Sequence, residues 1–310
     1  MYQKLIREFC RRVSPLTQKL GFVLSPVHFY FPIPDTRDLA ARNVWDQRTT
    51  LSGISWNPDA QLALVNELSA FGRECDWTST ADAPAGRYSS DNPTFGFASA
   101  MLAHAMVRHF RPRRIIEVGV GWSTLALLEA AARNTAVGAP ALQYTGIDPY
   151  PPVWLPPGAT EHLHQVQVQS IPVAHLTDLD RNDILFIDSS HVLNVGSDVQ
   201  YLYLEVLPRL RPGVIVHVHD IQLPREYPRD YAIRQRWFWN EQYLLQAFLA
   251  HNDDFEILLA GHYLCSDHAP ALQVAFPHYA PQHYSPTGSF WMRRRIKPVA
   301  FHDPTLQQHT

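Results

Sequence analysis

Two short stretches of this 310-residue chain end in side chains that could do chemistry. The run "DILFIDSSH" carries Ile184, Leu185, Phe186 and Ile187, then Asp188, Ser189, Ser190 and His191. Further on, "VIVHVHD" ends the same way, in His219 and Asp220. Imidazole titrates near neutral pH, so His191 is a natural general base. Asp188, His219 and Asp220 offer oxygen and nitrogen donors to a divalent cation, which would lower the pKa of a bound alcohol. An alcohol is a poor nucleophile without a base, a metal or both, so this set suits activation of a hydroxyl. His217 shares a strand face with His219 by alternation and reads as structural.

These residues need elements that bring them to one place. From Arg114 onward the chain alternates strands and helices. "RRIIEVGV", "LQYTGID", "HLHQVQVQ", "DILFID", "GVIVHVHD", "FEILLAG" and "GSFWMRRRI" read as strands. "STLALLEAAARN", "SDVQYLYLEVLPRL" and "WFWNEQYLLQAFLAHN" read as helices, with Ser123 as an N-cap. Near-continuous apolar strands with helices between them predict an α/β fold, a mostly parallel sheet covered on both faces. Ligands in such sheets bind beyond the carboxyl ends of the strands. That rim collects Glu117–Ser123, Asp148, Asp188–His191 and His219–Asp220.

"EVGVGWST" joins the first strand to its helix. Gly119 and Gly121 are read as allowing a tight turn and a close backbone approach. Asp148 ends the second strand, placed to accept hydrogen bonds from two ribose hydroxyls. This pattern points to an adenosine-containing ligand. Thr124 stands where a dinucleotide fingerprint needs glycine, which weakens a nicotinamide reading. The acidic Glu117 suits a ligand that carries positive charge.

"IIEVGVGWST", "GID", "DILFIDSSH", "RPGVIVHVHDI" and the final "FWMRR" resemble the class I S-adenosylmethionine-dependent methyltransferases. Among these the chain looks like the bacterial small-molecule O-methyltransferase branch that includes macrocin O-methyltransferase and the cephalosporin hydroxylase-like proteins. The resemblance covers about residues 88–296. It implies a Rossmann-like seven-stranded sheet whose last strand is antiparallel. It also implies S-adenosyl-L-methionine as cofactor, with Glu117, Gly119, Gly121 and Ser123 around its methionine part, Asp148 on the ribose, and Gln169 and Ser170 near the adenine. Asp188 and Asp220 match positions that hold Mg²⁺ in that branch, and His191 matches its base. His219 stands where the branch commonly has Glu. An imidazole there suits Mn, Fe or Zn better than Mg.

Composition narrows the partners. A net charge of −3 gives no reason to expect nucleic acid. Cys10, Cys75 and Cys265 are too few and too far apart for a disulfide framework, which suits a reducing, cytoplasmic setting. Residues 1–87 read as a helical and irregular extension, a cap or an interface for a homo-oligomer. Leu5, Ile6, Phe9, Val13 and Leu16 fall on one helical face there. "TSTADAPAGRYSSDNP" is a loop. Residues 88–310 form the methyltransferase-like domain, with a lid insertion at 221–240. In that insertion Arg225, Tyr227 and Tyr231 are expected to contact a small-molecule substrate. Two other readings stay open: metal-dependent oxidation or rearrangement on the same scaffold, with iron as one candidate, and a non-catalytic subunit that binds S-adenosylmethionine.

Overall fold

The computed structural model describes residues 2–28, 30–77, 86–283 and 287–296, with residues 78–85 of the expected loop outside them. Contacts divide the chain into two units, 1–49 with 225–239, and 50–224 with 240–310. The sequence boundary at 87 therefore falls inside the second unit. The reason is packing: Val65, Leu68, Cys75 and Trp77 belong to its core.

The second unit is built on a sheet of seven strands in the order β3-β2-β1-β4-β5-β7-β6. The strands are β1 (Arg114–Val118), β2 (Gln143–Ile147), β3 (Leu163–His164), β4 (Ile184–Ile187), β5 (Ile215–Val218), β6 (Phe255–Ala260) and β7 (Phe290–Arg294). β1 to β5 pair in parallel, and β7 runs antiparallel to both β5 and β6. This is the Rossmann-like mixed sheet expected from the resemblance. Every residue of β4 and β5 is buried, so both faces of the central strands are covered. The register sets Ile187 beside Val118 and Val218, so β1, β4 and β5 end at one level.

The helices are α1 (Tyr2–Lys19), α2 (Thr36–Ala41), α3 (Pro58–Leu68), α4 (Phe97–Phe110), α5 (Trp122–Ala136), α6 (Pro157–Thr160), α7 (Val173–Leu176), α8 (Asp198–Tyr201), α9 (Glu241–Leu249), α10 (Gly261–Asp267) and α11 (Ala269–Ala275). Three expectations change. β3 is two residues long, not eight, because its partner β2 ends at Ile147. The helix expected from Trp237 starts at Glu241. α10 and α11 fill a stretch between β6 and β7 that the sequence reading passed over.

In the first unit, α1 leaves Leu5, Phe9 and Leu16 exposed. Residues 225–239 belong with this unit, where Arg225 bridges to Arg48 and Arg236 donates to the Thr36 hydroxyl. Trp237 and Trp239 stack at 5.1 Å, with Tyr231 against both. No helix among the described residues is long and apolar enough to cross a membrane.

Candidate active site

The β1–α5 turn depends on one glycine more than on the other. Gly119 has φ +81°, and a Cβ there would sit 2.0 Å from the Asp188 carbonyl oxygen. Only glycine fits both the conformation and the contact. Gly121 is extended, and a Cβ there would meet nothing within 4 Å. The tight-turn role expected of both glycines therefore belongs to Gly119 alone. Gly121 is the N-cap of α5, and the Thr124 hydroxyl accepts its N–H at 3.0 Å. This corrects the expectation of Ser123 as the cap.

Ser123 is instead tied to Glu117. The fully buried Glu117 carboxylate accepts from Ser123 Oγ at 2.6 Å, Thr124 Oγ1 at 2.7 Å and Tyr144 OH at 2.5 Å. Burial pushes its carboxyl up to about 7, with the three hydroxyls offsetting only part of that effect. Both oxygens are engaged by the protein, so Glu117 braces the turn from behind.

Beyond the strand ends lies a cleft of about 480 Å³, within the range of small-molecule sites. Gly119, Asp148, Gln169, Asp188, Ser190 and Asp198 are among its lining residues. Asp148 accepts from the Val120 N–H at 3.1 Å and the Tyr150 N–H at 2.6 Å, which fixes its carboxylate at the mouth. Ser170 does not line the cleft, because its hydroxyl donates to the Gln167 carbonyl at 2.7 Å. Asp198 was not singled out in the sequence. It accepts from the Ser190 N–H at 2.8 Å and hydroxyl at 2.6 Å, at the start of α8.

The two polar strand ends converge. Donor atoms of Asp188, His191 and Asp220 all lie within 4.8 Å of one another. His191 Nε2 stands 3.4 Å from Asp188 Oδ1 and 3.5 Å from Asp220 Oδ2. His191 and Asp220 are both left-handed, at φ +60° and +54°. Such strain in non-glycine residues collects at functional sites. Burial pushes the His191 ring down, but the carboxylates of Asp188 and Glu241 more than offset it and hold it well above the ordinary imidazole range. Burial pushes the Asp188 carboxyl up, and the rings of His219 and His191 overcome that and hold it below its ordinary value.

His219, expected with Asp188 and Asp220 as a ligand, is not among the three residues whose donor atoms converge, and its Nε2 lies 3.8 Å from Asp220 Oδ1. Its ring lies 4.9 Å from that of Phe95, and its Nδ1 is buried without a hydrogen-bond partner. His217 is structural as read: it stacks on Phe186 at 3.8 Å and meets Ser289 Oγ at 3.0 Å. Arg225, Tyr227 and Tyr231 lie in the first unit, where Tyr227 is buried and rings with Tyr231 and Trp239.

Glu241, like Asp198, is not singled out by the sequence. It is fully buried at the first position of α9, with Oε2 at 2.9 Å from His191 Nδ1. Its only local signal was an acid just after Asn240 at a helix start.

The family described as "Methyltransferase domain" matches residues 116–221. An uncharacterized protein of Archaeoglobus fulgidus is 26% identical over 193 residues, covering 59% of this chain and 86% of that protein. Among solved structures, CmcI with SAH is 20% identical, covering 64% of this chain and 77% of that one, at TM-score 0.37. The SAH-bound Podospora anserina methyltransferase PaMTH1 is 17% identical, covering 89% and 100%, at TM-score 0.39. MycE methyltransferase from the mycinamycin biosynthetic pathway, in complex with Mg and SAH, is 15% identical, covering 76% and 57%, at TM-score 0.36. The matched segment runs from within β1 to just past the second polar rim and so contains all three converging residues, while Glu241 lies beyond it. Residues 116–221 thus match a methyltransferase domain, and they lie within the seven-stranded Rossmann-like sheet.

Proposed function

We propose that the chain transfers the methyl group of S-adenosylmethionine to a hydroxyl oxygen of a small molecule. The observation that carries the cofactor is the charge of the cleft. Asp148, Asp188 and Asp198 line it, and no Lys, Arg or His does among the described residues. A phosphate-bearing dinucleotide would be repelled there. A ligand with a sulfonium, an ammonium and two ribose hydroxyls complements three carboxylates. Calorimetry with S-adenosylhomocysteine tests this, with one-to-one binding expected. Absence of binding to both S-adenosylhomocysteine and S-adenosylmethionine would sink the reading.

In the transfer, the acceptor oxygen bonds to the methyl carbon as the carbon–sulfur bond breaks and a neutral thioether leaves. The acceptor's proton must go to a base, and His191 Nε2 is the group we assign. A ring that already holds its proton cannot take another, so the charge of Asp188 and Asp220 must be engaged elsewhere when His191 acts. The donor set fits a divalent cation, with two carboxylates and one imidazole within 4.8 Å. Such an ion would act as a Lewis acid toward a bound hydroxyl. Asp188 and Asp220 would hold it, and their fixed backbones would set its place relative to the cleft.

The same donor set favours one second reading, a redox metal and an oxidation on this scaffold. Metal analysis of protein purified without chelators separates the two. Stoichiometric iron together with oxygen-dependent turnover would favour oxidation.

A further inference from the structure

One buried acid contacts the reacting rim without lining the cofactor cleft. Glu241 Oε2 faces His191 Nδ1 at 2.9 Å and accepts from Ser189 Oγ at 3.0 Å. Its other oxygen, Oε1, is buried with no hydrogen-bond partner among the described residues. No Lys or Arg is paired with it in the described contacts. A buried carboxylate this poorly compensated is costly, and a neutral side chain of the same size would pack the helix end better. The start of α9 also holds the backbone of the same histidine. The N–H groups of Asn240 and Glu241 both donate to the His191 carbonyl, at 3.0 and 3.2 Å. One helix terminus thus fixes both the left-handed backbone of His191 and the direction of its ring.

We propose that Glu241 is a positioning residue for His191, on the reading above that His191 serves the transfer. A carboxylate at Nδ1 accepts a hydrogen bond, so Nδ1 carries a proton. Nε2 is then the nitrogen offered to the acceptor side, between Asp188 and Asp220. Without Glu241 the ring loses the side-chain acceptor that holds Nδ1 and sets its direction. Ser189, two residues before His191, steadies the same carboxylate oxygen and limits its rotation.

The test uses the full chain labelled with ¹⁵N-histidine, with the His191 signals assigned by their loss in His191→Gln. In the wild type, Nδ1 is expected in the protonated range, with a hydrogen-bonded proton far downfield. In Glu241→Leu, the hydrogen-bonded downfield Nδ1 proton signal is expected to be lost. Glu241→Gln keeps an acceptor and is expected to keep the Nδ1 proton, shifted upfield. A bare Nδ1 in the wild type, or an unchanged Nδ1 proton in Glu241→Leu, would overturn the proposal. If Glu241→Leu does not fold, Glu241→Asp decides: the Nδ1 proton should move upfield, and an unmoved proton counts against positioning. Calorimetry with S-adenosylhomocysteine runs beside it. Equal affinity in wild type and Glu241→Gln is expected, and a loss confined to the variant would make Glu241 a structural residue. If no form binds S-adenosylhomocysteine while the proton follows Glu241, the transfer reading fails and the positioning of His191 stands.

Discussion

Gly119 and Gly121 look equivalent in the motif, yet only one is required by geometry. Gly119→Ala must relieve a 2.0 Å approach to the Asp188 carbonyl at φ +81°. It is expected to cost about 2–5 kcal/mol in urea unfolding. Gly121→Ala meets open space and should change stability by less than about 0.5 kcal/mol. Equal costs would contradict the turn described for β1 and α5. Glu117 makes a second residue-scale claim. Its folded value near 7 lies above the ordinary 4.5, so the neutral form stabilises the fold. That contribution is complete below pH 4.5 and is lost as pH rises through 7. Relative to Glu117→Gln, the wild type should lose up to roughly 3 kcal/mol across that window. A pH-independent difference would show that the hydroxyls cancel the effect of burial. The types and positions of these residues were legible in the sequence. That Glu117 faces three hydroxyls rather than the cleft was not, because Tyr144 reaches it from a neighbouring strand 27 positions away.

At the scale of elements, β4 and β5 were readable because they bury every residue and so read as apolar runs, and β1 buries all but Arg114. β3 was not, because the Gln-Val alternation after His164 mimics a strand while that segment has no partner beyond Ile147. The start of α9 was misplaced for a related reason. Trp237 and Trp239 have the composition of a buried helix, but they stack on each other in the other unit. Glu241 escaped notice because its partner is 50 residues away. The link between α4 and the 3-10 helix Ser69–Glu74 rests on charge. Glu74 bonds His104 at 2.9 Å and Arg108 at 2.7 Å. Burial would raise the Glu74 carboxyl, but these partners hold it down at about 2. Its contribution is present above pH 4.5 and lost as pH falls toward 2. Glu74→Ala should cost roughly 2–3 kcal/mol at pH 7 and much less near pH 2, read by thermal unfolding at both pH values. An unchanged cost at low pH would mean the loss is packing alone.

For the whole molecule, strand order decides what the rims can do. Placing β4 and β5 side by side brings Asp188 and Asp220 together across 32 positions of sequence. The sequence supported one shared rim. It could not tell which imidazole would join both carboxylates, since residue types do not show the left-handed turn at His191. The central claim is that the carboxylate-lined cleft holds S-adenosylmethionine, and titration calorimetry with S-adenosylhomocysteine tests it most directly. One-to-one binding is expected, weakened at least about tenfold, or about 1.4 kcal/mol, by Asp148→Ala. Binding that ignores Asp148→Ala, or no heat with either form of the cofactor, would contradict it.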